Sequence, residues 1–229
     1  MGGIPAHTVL VAAFSAGDLE RLGREGRLER LARRAVVPLD AATVSLVASG
    51  WLRVFRHAAF VRDVTLVLAG PGEVLAPGAL FGDRSAESGA QAVTEAEVLS
   101  LAPAAVARYA EGSGGLWAAL GRDLAWRTMR VQRKLEAFSR ASVEARIAAA
   151  LLEIAEAAST GLADGAVRLD LPLSQEDLAG LAGTTRESAS AAVAAFARGG
   201  LVRGSRLRGL VLLVPGRLGE LAAVDFRGR

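Results

Sequence analysis

The chain contains no cysteine, which excludes disulfides, thiolate-ligated zinc and cysteine-held iron–sulfur clusters. It has a single lysine, Lys134, and aromatic residues make up only 5% of it. No apolar run of about 18 residues free of charge occurs, so no segment reads as a helix able to span a bilayer. The opening stretch MGGIPAHTVLVAAFSAGDLERLGR has an apolar patch without a basic head and soon turns acidic. No secretory signal is expected there, and the cytoplasm is the expected compartment. Catalytic signatures are missing as well. There is no glycine-rich phosphate loop, no His/Glu cluster at metal-ligand spacing and no serine with an accompanying histidine. The expectation is a protein that is not an enzyme and that holds neither metal nor cofactor.

What is present is enough for two modest domains: 229 residues, 52% of them hydrophobic. A net charge of +3 does not by itself announce a polyanion partner, but the charge is unevenly placed. From residue 198 onward arginine stands at 198, 203, 206, 208, 217, 227 and 229, against only Glu220 and Asp225. A locally basic tip suits a phosphate-binding surface, although a solvated arginine-rich face is the plainer alternative.

Along the chain the hydrophobic period changes twice. Residues 16–35 carry leucines at mostly helical spacing and read as one broken or two short helices around Gly26. The β-branched and aromatic runs Thr43–Ala48, Trp51–Arg56, Val64–Leu68 and Glu97–Ser100, divided by Gly and Pro turns, read as strands of an antiparallel roll. After Pro103 the period becomes helical. Trp117, Leu120, Leu124, Thr128, Val131, Leu135 and Phe138 recur at steps of three and four, a narrow seam suited to pairing with another helix. Packing of that seam within its own domain is equally compatible with the spacing. Residues 142–158 form a second, more broadly apolar helix.

The last third has the order strand, helix, short turn, helix, hairpin. "VRLDLPLS" alternates and ends at Ser174, "SQEDLAGLAG" is a short helix stopped by Gly183, and "TTRESASAAVAAFARGG" is a second helix. "LVRGSRLRGLVLLV" makes two strands around Gly204-Ser205. This is a winged helix-turn-helix, with its second helix over about 185–197. Thr184 and Glu187 have the spacing of a capping box, and Ser174 with Asp177 forms a weaker one. A cap does not need Arg186, whose guanidinium suits guanine O6 and N7 in the major groove, while Glu187 can accept from cytosine N4. Thr184, Thr185 and Ser188 are short hydroxyls suited to phosphate.

"LSQEDLAGLAGTTRESASAAV" resembles the DNA-binding helix pair of the CRP/FNR family of transcription regulators. "SGWLRVFR" and "RDVTLVLAGPGEVLAPGALFGD" resemble that family's β-roll, and "ARIAAALLEIAE" resembles the helix after its dimer helix. The resemblance spans residues 45–214. It implies an α+β chain with an N-terminal antiparallel, jelly-roll-like β-roll over 1–112, a long dimerisation helix over 113–139 and a winged helix-turn-helix over 140–229. It implies a homodimer on double-stranded DNA at a roughly palindromic site, with RNA polymerase as a further partner. Arg186 and Glu187 would read bases, and Thr185 would contact phosphate. Ser174, Gln175, Thr184, Ser188 and Ser190, with Arg203, Arg206 and Arg208 of the wing, complete the DNA-binding set.

Departures from the family pattern carry information. A second arginine that the family's activator often places later in the recognition helix is Ala191 here. The segment after Phe81-Gly82-Asp83 is shortened, and the places that grip a cyclic phosphate fall near Ala86-Glu87, with Arg84-Ser85 alongside. A carboxylate there repels a phosphate, and the base-contacting hydroxyls are replaced around Val131 and Gln132. Control without a cyclic nucleotide is therefore expected, since an anion needs a fixed cationic or N–H partner. His57 could serve as an axial haem ligand, with His7 near the terminus carrying less weight, though a single histidine beside a strand reads more simply as a surface or turn residue. Two alternatives stay open: a winged-helix module that docks a protein, and a regulator that answers an unidentified small effector.

Overall fold

The computed structural model describes residues 16–39, 42–58, 61–82, 88–112, 114–140, 142–204 and 209–222. The chain divides into two compact units, one of Met1–Val61 with Leu66–Met129, the other of Arg62–Thr65 with Arg130–Arg229.

The first unit begins with helix α1 (Ala16–Glu25), followed by strands β1 (Arg27–Leu31), β2 (Val36–Leu39), β3 (Val44–Ser49), β4 (Leu52–Ala58), β5 (Val61–Ala69) and β6 (Val74–Leu75). A short 3-10 turn, Pro77–Phe81, precedes β7 (Ser88–Ala92) and β8 (Ala96–Leu101). Two four-stranded antiparallel sheets result, in the orders β1-β8-β3-β6 and β2-β7-β4-β5. Helix α2 (Pro103–Glu111) closes the unit, and the 27-residue helix α3 (Gly114–Arg140) leaves it.

Strand alternation builds two cores from one sheet. On β8, Ala96 and Val98 join Leu52, Val54, Val67 and Ala90 between the sheets. Leu99 and Leu101 point to the other side, where Leu22 of α1, Val106 of α2 and Leu116 and Leu120 of α3 cover them. The expected second helix near Gly26 is β1 instead, with Arg27–Leu31 paired antiparallel to β8. A five-residue segment with an open neighbouring edge gains more from ladder hydrogen bonds than from a marginal helix turn. Strands β2, β6 and β7 lie outside the segments read as strands from the sequence. His57 lies within β4 and not at a turn.

The second unit contains helix α4 (Val143–Ala157), strands β9 (Ser159–Gly161) and β10 (Val167–Leu169), helices α5 (Gln175–Ala182) and α6 (Arg186–Arg198), strands β11 (Val202–Arg203) and β12 (Val211–Leu212), and helix α7 (Pro215–Leu221). The strands form one sheet in the order β11-β12-β10-β9. Ser142 caps α4 by accepting from the Ala145 N–H, and Ile147, Leu151 and Ile154 form its fully buried stripe. The C-terminal part of α3 is held to α4 by charge: Arg130 Nη2 lies 2.7 Å from Glu153 Oε1. Lys134 Nζ donates to the Thr65 carbonyl at 2.7 Å and sits 3.8 Å from Glu153. Burial pushes the Lys134 ammonium below its usual pKa, and the Glu153 carboxylate opposes that shift.

The seam on α3 divides in two. Leu135 is 62% exposed and Val131 39%, whereas Leu120 is 1% exposed within its own unit's core. Leu120 is therefore not available to a partner helix. Phe138, also assigned to the seam by spacing, packs within the second unit. Replacing Leu120 by Ala is expected to cost about 2–5 kcal/mol, the range for emptying a filled core site. A urea titration of the variant, read by circular dichroism against the parent chain, measures this.

Candidate nucleic-acid interface

The helix pair is built by local rules that its residues obey one by one. Ser174 opens α5 with a reciprocal capping box: its Oγ accepts from the Asp177 N–H at 3.2 Å, and the Ser174 N–H donates to Asp177 Oδ2 at 2.8 Å. Leu178, Ala179, Leu181 and Ala182 bury one face of α5. The helix ends at Gly183, whose φ of 58° and ψ of 47° lie in the left-handed region that a side chain disfavours. The Thr184 N–H then returns to the Ala179 carbonyl at 3.0 Å.

A second constraint acts at this turn. A Cβ on Gly183 would stand 2.7 Å from Cζ of Phe138, at the end of α3. The aromatic ring therefore lies against bare backbone, and Arg146 of α4 stacks over the same ring at 5.8 Å. Phe138 thus fixes the turn between α5 and α6. Spacing along α3 could not reveal this, because the partner lies 45 positions later in the sequence.

Helix α6 starts one residue later than the Thr184–Glu187 capping box implied. Its cap is Thr185, whose Oγ1 accepts from the Ser188 N–H at 3.2 Å and donates to Ser188 Oγ at 3.1 Å. Thr185 has extended backbone angles, as a cap requires, which puts Arg186 at the first helical position. Alanine-rich sequence favours the helix that follows, and Ala189, Ala192, Val193 and Phe196 bury its inner face. Arg186, Glu187, Ser190, Ala191, Ala194 and Arg198 are exposed. Among the described residues no hydrogen bond or ion pair holds Arg186, so its five donors are available to an outside acceptor.

The wing follows directly. Val202 pairs with Leu212 and Arg203 with Val211, burying Val202 and leaving Arg203 exposed. Arg206 and Arg208 lie outside the described residues. Exposed Arg203 on the strand that follows a helix headed by an exposed guanidinium is suited to a polyanion.

Comparison with known proteins agrees with this geometry. Residues 145–221 match the model of the Crp-like helix-turn-helix domain, and residues 40–112 match the cyclic nucleotide-binding domain. The cyclic AMP receptor protein of Thermus thermophilus is 33% identical over 162 residues, 69% of this chain and 69% of that protein. The chain belongs to the CRP/FNR family of transcription regulators. A CRP-family regulator of the same organism aligns with a TM-score of 0.69 at 28% identity, covering 85% of this chain and 96% of that one. The fold of CooA from Carboxydothermus hydrogenoformans matches at a TM-score of 0.77 over 97% of both chains, at 20% identity. The antiparallel roll, long helix and winged helix-turn-helix are thus the family's architecture.

Within that frame the residues assigned to DNA separate into groups. Arg186, Glu187, Thr185, Ser190 and Arg203 are exposed, while Thr184, Ser188 and Gln175 are half-buried. Ser174 is engaged in its cap, its hydroxyl donating to Asp177 Oδ2 at 2.7 Å, which makes it a structural residue first. Arg198 joins the outward face of α6. Helical periodicity counted back from the Gly199-Gly200 stop would have placed it there. The segment Arg84–Glu87, where a cyclic phosphate would be gripped, lies outside the described residues.

Gly183→Ala is expected to destabilise the second unit by about 2 kcal/mol or more, from left-handed strain together with the Phe138 contact. Thr185→Ala should cost about 1 kcal/mol through loss of the cap. Denaturant midpoints of both variants, read at constant m-value, check the order of the two effects.

Proposed function

We propose that the protein is a homodimeric, sequence-specific DNA-binding transcription regulator that inserts α6 into the major groove of a roughly palindromic site. The observation that carries this is Arg186: it stands at the head of α6, exposed, with no carboxylate of its own chain holding it among the described residues. A guanidinium so placed can form the bidentate pair with guanine, and Glu187 beside it can accept from cytosine N4. Exposed Arg203 on the wing and the hydroxyl of Thr185 suit phosphates, which position the protein without selecting sequence. RNA polymerase is the further partner that such a regulator would engage.

Dimerisation through α3 is supported by the line of outward residues Trp117, Thr128, Val131 and Leu135, with Leu124 half-buried beside them. Two-fold pairing would set two copies of α6 about 34 Å apart, one turn of duplex DNA.

Control without a cyclic nucleotide is the finer part of the proposal, although the Thermus relative is named a cyclic AMP receptor. Several features of the roll support it. The 3-10 turn begins with Pro77, which has no N–H to offer, after Ala76 in a left-handed conformation. Gly89 of β7 is overlaid by Phe55, whose ring would meet a Cβ there at 2.7 Å. The buried polar residues described in the strands and turns of the roll are Ser45, Thr65 and Glu73, and Asp123 is buried on α3. Ser45 is paired with Ser100 at 3.1 Å, Glu73 accepts from the Gly70 N–H at 2.9 Å and Asp123 is paired with Arg127 at 2.7 Å, so none of these buried groups is a cation that would hold a phosphate. A thermal scan in the presence of cyclic AMP or cyclic GMP is expected to leave the unfolding midpoint unchanged, since a ligand that binds the folded state raises it.

Footprinting on genomic fragments, followed by gel shift on the protected site, tests the main reading. Affinity is expected to fall steeply with salt, with the logarithmic slope set by the number of phosphates neutralised. Arg186→Ala should erase about 1–3 kcal/mol of discrimination at one base pair of each half-site, whereas Arg203→Ala should weaken all sequences alike. Equal effects from both would overturn the assigned roles. Leu135→Glu places like charges across the two-fold seam, and sedimentation should then show a monomer with weakened operator binding.

A further inference from the structure

The outward face of α6 has charge at both ends and none between. Glu187, Ala191, Ala194 and Arg198 follow at intervals of four, three and four residues, so they share one line along the helix, and all four are exposed. In a helix already assigned to the major groove, the residue in this line nearest to Arg186 and Glu187 is Ala191. It lies five residues beyond Arg186, which at 1.5 Å per residue is about 7.5 Å along the axis. That corresponds to roughly two base-pair steps of 3.4 Å.

Ala191 offers a base edge one methyl group and no donor or acceptor. Of the four bases, only thymine presents a methyl group in the major groove; guanine presents acceptors at O6 and N7, and adenine and cytosine present amino donors. A methyl pressed against guanine would shut water away from O6 and N7 without replacing the lost hydrogen bonds, which is unfavourable. Against a thymine C5-methyl the same contact buries apolar surface on both sides. The short side chain also lets the helix backbone approach close enough for that contact.

We propose that Ala191 is a specificity-determining residue, making the base pair about two steps from the Arg186 contact selective for thymine through methyl–methyl contact. This rests on the reading that α6 enters the major groove. The consequence is an operator that departs at this pair from those of relatives with arginine at the corresponding place.

A base-by-base methyl deletion tests it. The full-length protein is titrated by gel shift against its footprinted operator, with each thymine in turn replaced by deoxyuridine, which lacks only the C5-methyl. One thymine per half-site is expected to weaken binding about fourfold when replaced, the effect of one buried methyl group. Ala191→Gly should remove the sensitivity at that thymine while leaving the Arg186-dependent guanine preference intact. Ala191→Arg should shift the preferred base at that pair to guanine. A flat deoxyuridine scan on an operator whose recognition still depends on Arg186 overturns the thymine assignment and leaves the groove reading standing. If no duplex is bound more tightly than bulk DNA, both fall together.

Discussion

The DNA-facing end of this protein depends on the contact between Phe138 and the bare backbone of Gly183. The left-handed turn alone would let α6 leave α5 over a range of directions. An aromatic ring lying where a Cβ would have to go narrows that range, and Arg146 stands over the same ring. Because α6 begins only three residues after Gly183, a small rotation at this turn becomes a large displacement of the Arg186 head group. The side chain proposed to read a base is thus aimed by a residue on a different helix. The caps at Ser174 and Thr185 serve the same end, setting where each helix starts and hence which side chain occupies the first turn.

The roll has a different character. Its interior is filled from both sheets by aliphatic side chains, and its second core is filled by helices packed on the outer face of one sheet. Protein interiors of this kind are close-packed. Among the described residues of this unit the buried ionisable groups are Glu73, which accepts from the Gly70 N–H, and Asp123 of α3, paired with Arg127 at 2.7 Å. Control without a cyclic nucleotide, as proposed above, would set this chain apart from the Thermus relative that is named a cyclic AMP receptor. Fold and ligand are separable properties.

Most of the architecture was legible in the sequence because its signals are local. Gly183, the polar caps and the alternation of "VRLDLPLS" each report the backbone state of their own neighbourhood, and the winged helix-turn-helix follows from their order. The legible part failed where a local pattern had two solutions. Arg27–Leu31 has leucines at helical spacing, yet the free edge of β8 captured it as a strand. Thr184 and Thr185 can both cap a helix, and only the return of the Thr184 N–H to Ala179 commits Thr184 to the end of α5. Leu120 and Phe138 satisfy the seam's period as well as Leu135 does, but period says nothing about which neighbour a side chain meets.

By itself, the sequence determined the absence of thiol chemistry, the order of elements in the winged helix-turn-helix, the helix stop at Gly183 and the identity of the polar groups heading α6. These follow from residue type and short spacing, where sterics and capping act within a few residues. Only the tertiary structure decided that Arg186 is exposed and has no partner among the described residues, that Leu120 is sealed in a core while Leu135 is open, and that Phe138 braces the helix pair. Each of those depends on contacts between residues distant in sequence, and a pattern of hydrophobic spacing marks a face without naming what covers it.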